Sequence, residues 1–140
     1  MGAAFVTAST QVERALLDTS VLIDPPHGLA SLATEVVVST ISLAELAHGL
    51  HVPDAVESAA RQLRYQRILD VFEPLPYSVA AARTYGALAD VVRSAGRSPR
   101  QRRFDLLLAS VAVSQGVAIL TRNPRDFSGL HHTLQVVDAS

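Results

Sequence analysis

The chain contains no cysteine and no lysine. Without cysteine there is no disulfide scaffold, no thiolate metal site and no cysteine nucleophile. That composition is compatible with a reducing cytosol. Without lysine the G-x-x-x-x-G-K phosphate loop cannot be formed, so a P-loop NTPase is excluded. All 12 basic residues are Arg, the planar, bidentate partner of phosphate and carboxylate. A GC-rich genome accounts for the same bias. Bulk charge is also scarce: a net charge of −1 gives no global pull toward nucleic acid.

No apolar run is long enough to span a bilayer. The richest, FDLLLASVAVSQGVAILT, is broken by Ser110, Ser114, Gln115 and Gly116. The opening MGAAFVTASTQVER lacks the basic region and apolar core of a secretory leader, and Val6 does not fit a myristoylation signal. The expectation is a soluble, cytoplasmic protein without membrane association. At 140 residues, with 49% apolar and 18% charged positions, the chain reads as one globular domain with room for a sizeable core.

What is present alternates. ALLDTSVLI is a short apolar run before Pro25 and Pro26, expected to be a buried strand ending near Asp18 or shortly after. EVVVST, residues 35–40, is a β-branched second strand. ISLAELAHGL follows as a helix with Leu43, Leu46, Ala47 and Leu50 on one side. A longer helix is predicted after the cap Asp54, with Val56, Leu63 and Ile68 at helical spacing. Another runs from Ser78 to Gly96. GRSPRQRR is a basic loop, FDLLLASVAVSQG a helix closing at Gly116, and VAILT and LQVVD are strands. Strands alternating with helices imply a parallel sheet covered by helices on both faces. Such sheets bind ligands beyond the carboxyl ends of their strands.

Four acids fall where such a site would form: Asp18, Glu45, Asp105 and Asp126. Each alone has an ordinary reading. Asp18 can cap a turn with Thr19 and Ser20, Glu45 can be a solvated helix residue, Asp105 can complement a helix dipole, and Asp126 can belong to a turn. Together they say more. Asp18 and Glu45 interrupt otherwise apolar stretches, and the small Ala44, Ala47, Ala109 and Ala112 allow two helices to approach the sheet. Converging carboxylates repel unless a cation compensates them. A hard divalent ion such as Mg²⁺ takes oxygen ligands. The missing cysteine and the absence of a close His-x-x-x-His pair disfavour zinc.

LLDTSVLID, STISLAELAHGL, FDLLLASVAVSQGVAILT and TRNPRDFSGL, in that order, resemble the successive motifs of the PIN-domain family, and within it the VapC-type toxins of bacterial toxin–antitoxin pairs. The resemblance runs from about Ala15 to the C-terminus. It implies a three-layer α/β/α sandwich with a central parallel sheet, here a single PIN-like domain over residues 14–140 preceded by an extension, residues 1–13. It also implies an endoribonuclease dependent on Mg²⁺ or Mn²⁺. The family's acids map onto Asp18, Glu45, Asp105 and Asp126. Thr121 and Asn123 match polar positions of the last motif, and Thr19 and Ser20 support the metal shell. A homodimer and inhibition by a VapB-type antitoxin are implied as well.

In the activity so implied, the acids hold the metal and a water attacks an RNA phosphodiester. Arg100, Arg102 and Arg103 precede Asp105 closely enough to bind the RNA backbone; a solvated basic loop is their other reading. Structured RNA, tRNA or rRNA, is the expected substrate. The competing expectation is a catalytically weak PIN module that grips RNA or a protein without cutting. A haloacid-dehalogenase-type phosphatase would want a second acid where Ser20 stands, and both it and a response-regulator receiver would want a lysine.

Overall fold

A computed structural model of the chain describes residues 11–140 and, as backbone, Phe5–Val6. The rest of the expected N-terminal extension, residues 1–4 and 7–10, lies outside the described residues. The elements run β1 (Phe5–Val6), β2 (Val12–Leu17), α1 (Thr19–Ile23), α2 (Leu29–Leu32), β3 (Ala33–Val37), α3 (Thr40–His48), α4 (Ala55–Val71), α5 (Val79–Ser94), α6 (Arg103–Gln115), β4 (Ala118–Thr121) and β5 (Val136–Asp138). Two 3₁₀ turns, Pro99–Arg102 and Pro124–Phe127, flank α6 and β4.

The strands form one sheet in the order β1-β5-β4-β2-β3, every pairing parallel. Side chains of a strand point alternately to its two faces, and the two cores follow that alternation. Ala15 and Leu17 of β2, Ala118 and Leu120 of β4, and Val137 of β5 pack with Val21, Leu32, Leu43, Leu46 and Ile68, that is, with α1 to α4. Leu16, Ile119 and Val136 face the other way, onto Leu88, Val92, Leu106 and Ala109 of α5 and α6. The result is the expected three-layer α/β/α sandwich.

Several local expectations change. The strand expected to end near Asp18 does end there, at Leu17, but the rest of ALLDTSVLI is helix α1, because the Asp18 carboxylate accepts the Thr19 N–H and caps a helical turn. EVVVST also divides: β3 stops at Val37, and Ser39 caps α3 by accepting the Ile41 N–H. Of the three residues expected to bury α4, only Ile68 does so; Val56 and Leu63 are exposed. The basic loop contains a 3₁₀ turn, and Arg103 already belongs to α6.

Close helix approach rests on Ala109 and Ala112, both fully buried, whereas Ala44 is exposed. α6 ends where Gly116 turns left-handed at φ +67°, a conformation that a residue with a Cβ adopts only under strain. Replacing Ala109 with Leu should overpack the α6–sheet contact and destabilise the fold by about 1–3 kcal/mol. Denaturant unfolding measures this, and an unchanged midpoint would contradict the contact.

Candidate active site

Asp18 stands one residue past β2. Its backbone N–H donates to the Leu120 carbonyl at 2.9 Å, continuing the pairing with β4 beyond the strand end. The side chain is only 7% exposed. Oδ1 accepts the Thr19 N–H at 2.8 Å, and Oδ2 accepts the hydroxyls of Ser20 at 2.9 Å and Thr121 at 2.7 Å. Thr121 ends β4 and is fully buried. Its own oxygen accepts the Asn123 N–H at 3.0 Å. Asn123 therefore enters this network through its backbone, while the residue itself is exposed.

Glu45 comes from α3, on the other side of α1. The Thr19 hydroxyl donates to its Oε1 at 2.7 Å, so Thr19 links the two acids, with its N–H on Asp18 and its hydroxyl on Glu45. Burial pushes the Glu45 carboxyl above its ordinary range; the Thr19 hydrogen bond opposes this and the charge of Asp18 adds to it.

Asp105 sits in the first turn of α6 and Asp126 in the 3₁₀ turn after β4. Asp105 is pushed up to about 7, first by burial and then by the charges of Asp126, Asp18 and Glu45. Only the Arg102 guanidinium works in the opposite direction. The structure thus brings all four acids into one electrostatic neighbourhood at the carboxyl edge of the sheet.

A cleft of about 370 Å³ opens beside them, lined by Glu45, Asp105, Phe104, Arg100, Arg102 and Arg103. Arg100 and Arg103 are exposed. Arg102 is tied down, donating to the Arg125 carbonyl at 2.9 Å and the Ser128 carbonyl at 3.5 Å. A larger cleft of about 780 Å³, bordered by Arg97, Arg102 and Arg125, contains none of the four acids. His48 is exposed and takes no part.

Sequence reasoning passed over Arg122. Its N–H donates to Ser20 Oγ at 3.2 Å, and its guanidinium donates to the Asp24 carbonyl at 2.6 Å and pairs with the Asp24 carboxylate at 3.5 Å. It thereby ties the segment after β4 to the end of α1.

The donor set suits a hard divalent cation: four carboxylates, all oxygen, mutually repelling and partly desolvated. Among the described residues, no three Asp, Glu or His side chains stand close enough together to hold a metal ion. The fit is one of donor chemistry and charge.

Fold and cleft together define the class: an α/β/α protein with an acidic site at the carboxyl edge of a parallel sheet. The PIN domain profile matches residues 15–131, and Ribonuclease VapC4 of Mycobacterium tuberculosis (strain ATCC 25618 / H37Rv) is 35% identical over 118 residues, covering 80% of this chain and 88% of that protein. The chain belongs to the PIN-domain family and, within it, to the VapC type. Ribonuclease VapC5 of the same strain is 31% identical over 126 residues, covering 87% of this chain and 91% of the relative. The crystal structure of VapBC-5, a toxin–antitoxin member from M. tuberculosis, superposes with a TM-score of 0.78 at 28% identity, over 91% of this chain and 98% of the other. Among the described residues no helix is long and apolar enough to cross a membrane.

The raised Asp105 value has a stability consequence. The folded carboxyl, at about 7, holds its proton more tightly than an unfolded one near 3.8. The metal-free folded state therefore binds more protons between those values, and its stability falls as pH rises from about 4 through about 7. Asp105→Asn should remove this contribution, so the variant gains on the wild type at pH 8 and not at pH 4. Urea midpoints at the two pH values measure it; an equal offset at both would contradict the repulsion.

Proposed function

We propose that the protein is a metal-dependent endoribonuclease, the toxin of a VapBC-type pair, acting in the cytoplasm on structured RNA such as tRNA or rRNA. The observation that carries this reading is the convergence of Asp18, Glu45, Asp105 and Asp126 at the sheet's carboxyl edge, where burial first and then the charges of the other three raise Asp105. Such a charge deficit calls for a divalent cation. The names of the two relatives as ribonucleases, and the toxin–antitoxin complex of the structural neighbour, support the reaction and the setting.

Asp18, Glu45, Asp105 and Asp126 would hold Mg²⁺ or Mn²⁺. When bound, such an ion supplies Lewis-acid stabilisation of a phosphodiester under attack and lowers the pKa of a coordinated water. The chain's own part is positional. Thr19, Ser20 and Thr121 fix the Asp18 carboxylate, and Thr19 also orients Glu45. Asn123 holds Thr121 through its N–H. Arg100 and Arg103, exposed at the cleft, bind the phosphates of the strand, while Arg102 shapes the wall. Hydrolysis leaves a 5′-phosphate and a 3′-hydroxyl. A VapB-type antitoxin inhibits by occupying the acidic cleft, where a guanidinium competes for the same carboxylates. The active form is a homodimer.

Asp18→Asn and Asp105→Asn should each lower cleavage by at least about 100-fold, the scale of losing a group that stabilises transition-state charge, with the circular dichroism spectrum unchanged. Full activity in either variant would remove it from the site. EDTA should stop cleavage, and Mg²⁺ or Mn²⁺ should restore it and raise the melting temperature. Cleavage that persists in EDTA would reject the metal.

One observation favours a second reading, a PIN module that binds RNA or protein with little catalysis: the acids do not stand as a ready-made cage. Growth arrest on expression separates the two. Arrest by the wild type and not by Asp18→Asn supports the nuclease, and equal arrest supports binding.

A further inference from the structure

Phe104 is 47% exposed, although Phe127 is buried and Phe72 is partly buried against the core. The sequence is only 5% aromatic, with four Phe and no Trp, so an exposed Phe ring stands out. A single exposed apolar residue is ordinary on a protein surface. This one is not on open surface. It lines the cleft of about 370 Å³ together with Glu45, Asp105, Arg100 and Arg103. It also directly precedes Asp105 in the first turn of α6.

An aromatic face, two exposed guanidinium groups and two carboxylates of the acidic set therefore share one recess. The ligand that matches all three has a planar ring, an anionic backbone and a reacting phosphate. Phe104 and Asp105 diverge around α6, yet both line this cleft, so a ligand that fills it meets the ring and the acid together.

Resting on the ribonuclease reading above, we propose that Phe104 is a stacking platform for an unpaired base of the RNA strand and positions the neighbouring phosphate at the acids. Stacking on a ring requires a base that has left its own stack, so the platform selects single-stranded or loop RNA over a paired helix. Arg100 and Arg103 beside the ring favour a polyanion over a cationic peptide. Stacking tolerates any base, because each has a π-face. Phe104 thus sets strandedness and register, and other contacts set sequence.

The test is equilibrium binding of a fluorescein-labelled single-stranded oligoribonucleotide, read by anisotropy at fixed salt in EDTA, so that nothing is cleaved. Phe104→Ala should weaken binding about 5- to 100-fold, the range for losing one base–aromatic stack. Phe104→Tyr should stay near the wild type, and Phe104→Leu should fall toward Ala. An oligomer of abasic ribose-phosphate should bind all four proteins alike. In cleavage assays with metal, Phe104→Ala should lower kcat/KM, raising KM for the lost stack and lowering kcat for the lost register. Because the ring is half-exposed, the melting temperature checks that each variant folds.

Equal RNA affinity of the wild type and Phe104→Ala would overturn the platform and leave the ribonuclease reading standing. So would Leu serving as well as Phe, which would make the contact merely apolar. Unchanged RNA binding with weakened binding of the purified antitoxin would assign the ring to the antitoxin instead, and also overturn the proposal. A wild type that neither binds RNA in EDTA nor cleaves it with Mg²⁺ would overturn both.

Discussion

The buried carboxylate of Asp18 is the constraint on which the rest of the cleft depends. Its backbone is fixed by the sheet through the bond to Leu120, and its side chain by three donors from two segments, Thr19 and Ser20 on one side and Thr121 on the other. An uncompensated carboxylate at that depth would cost several kcal/mol. Here the compensation is entirely neutral: one peptide N–H and two hydroxyls. Neutral donors stabilise the ionised form without cancelling its charge. The field of Asp18 therefore persists across the cleft, and it is felt at both Glu45 and Asp105. The hydrogen bonds that hold the first acid in place thus leave its charge to add to burial, the larger cause, in raising its two neighbours.

Much of this was legible in the sequence because it is local. Asp18 and Glu45 stand out against apolar runs, and the alternation of strand and helix implies the parallel sheet. The boundaries were harder. ALLDTSVLI and EVVVST are rich in β-branched residues, and such runs favour strand wherever they occur. In each, a short polar side chain ends the strand early by accepting a backbone N–H: Asp18 from Thr19, and Ser39 from Ile41. The capping residues were visible, but a β-branched residue after each cap obscured them. Thr121 meets Asp18 across 103 positions and Thr19 meets Glu45 across 26. No spacing rule reaches so far; only the sheet order brings those residues together. The pairing of β1 with β5 is hidden for the same reason. The partly wrong expectation for α4 has another cause. Its helical spacing is real, yet Val56 and Leu63 face outward because a helix covering one sheet face needs only a narrow buried stripe, here reduced to Ile68.

The two sides of the cleft are built differently. Asp18 and Glu45 are locked by hydrogen bonds on β2 and α3, whereas Asp105 and Asp126 come from the first turn of α6 and a 3₁₀ turn. The only guanidinium that lowers the Asp105 value is that of Arg102, and its N–H groups are anchored on the Arg125 and Ser128 carbonyls. A tethered cation cannot move in to form a close pair, so its help to Asp105 is partial. Arg100 and Arg103 also line the cleft, but among the described residues neither forms an ion pair with any of the four acids. In a structural ion cluster the charges would balance within the fold. Here no ion pair among the described residues offsets the acids, and burial and mutual repulsion together hold Asp105 and Glu45 above their ordinary range. That uncompensated charge is what the proposed divalent cation would relieve, and it gives the cleft its acidic character.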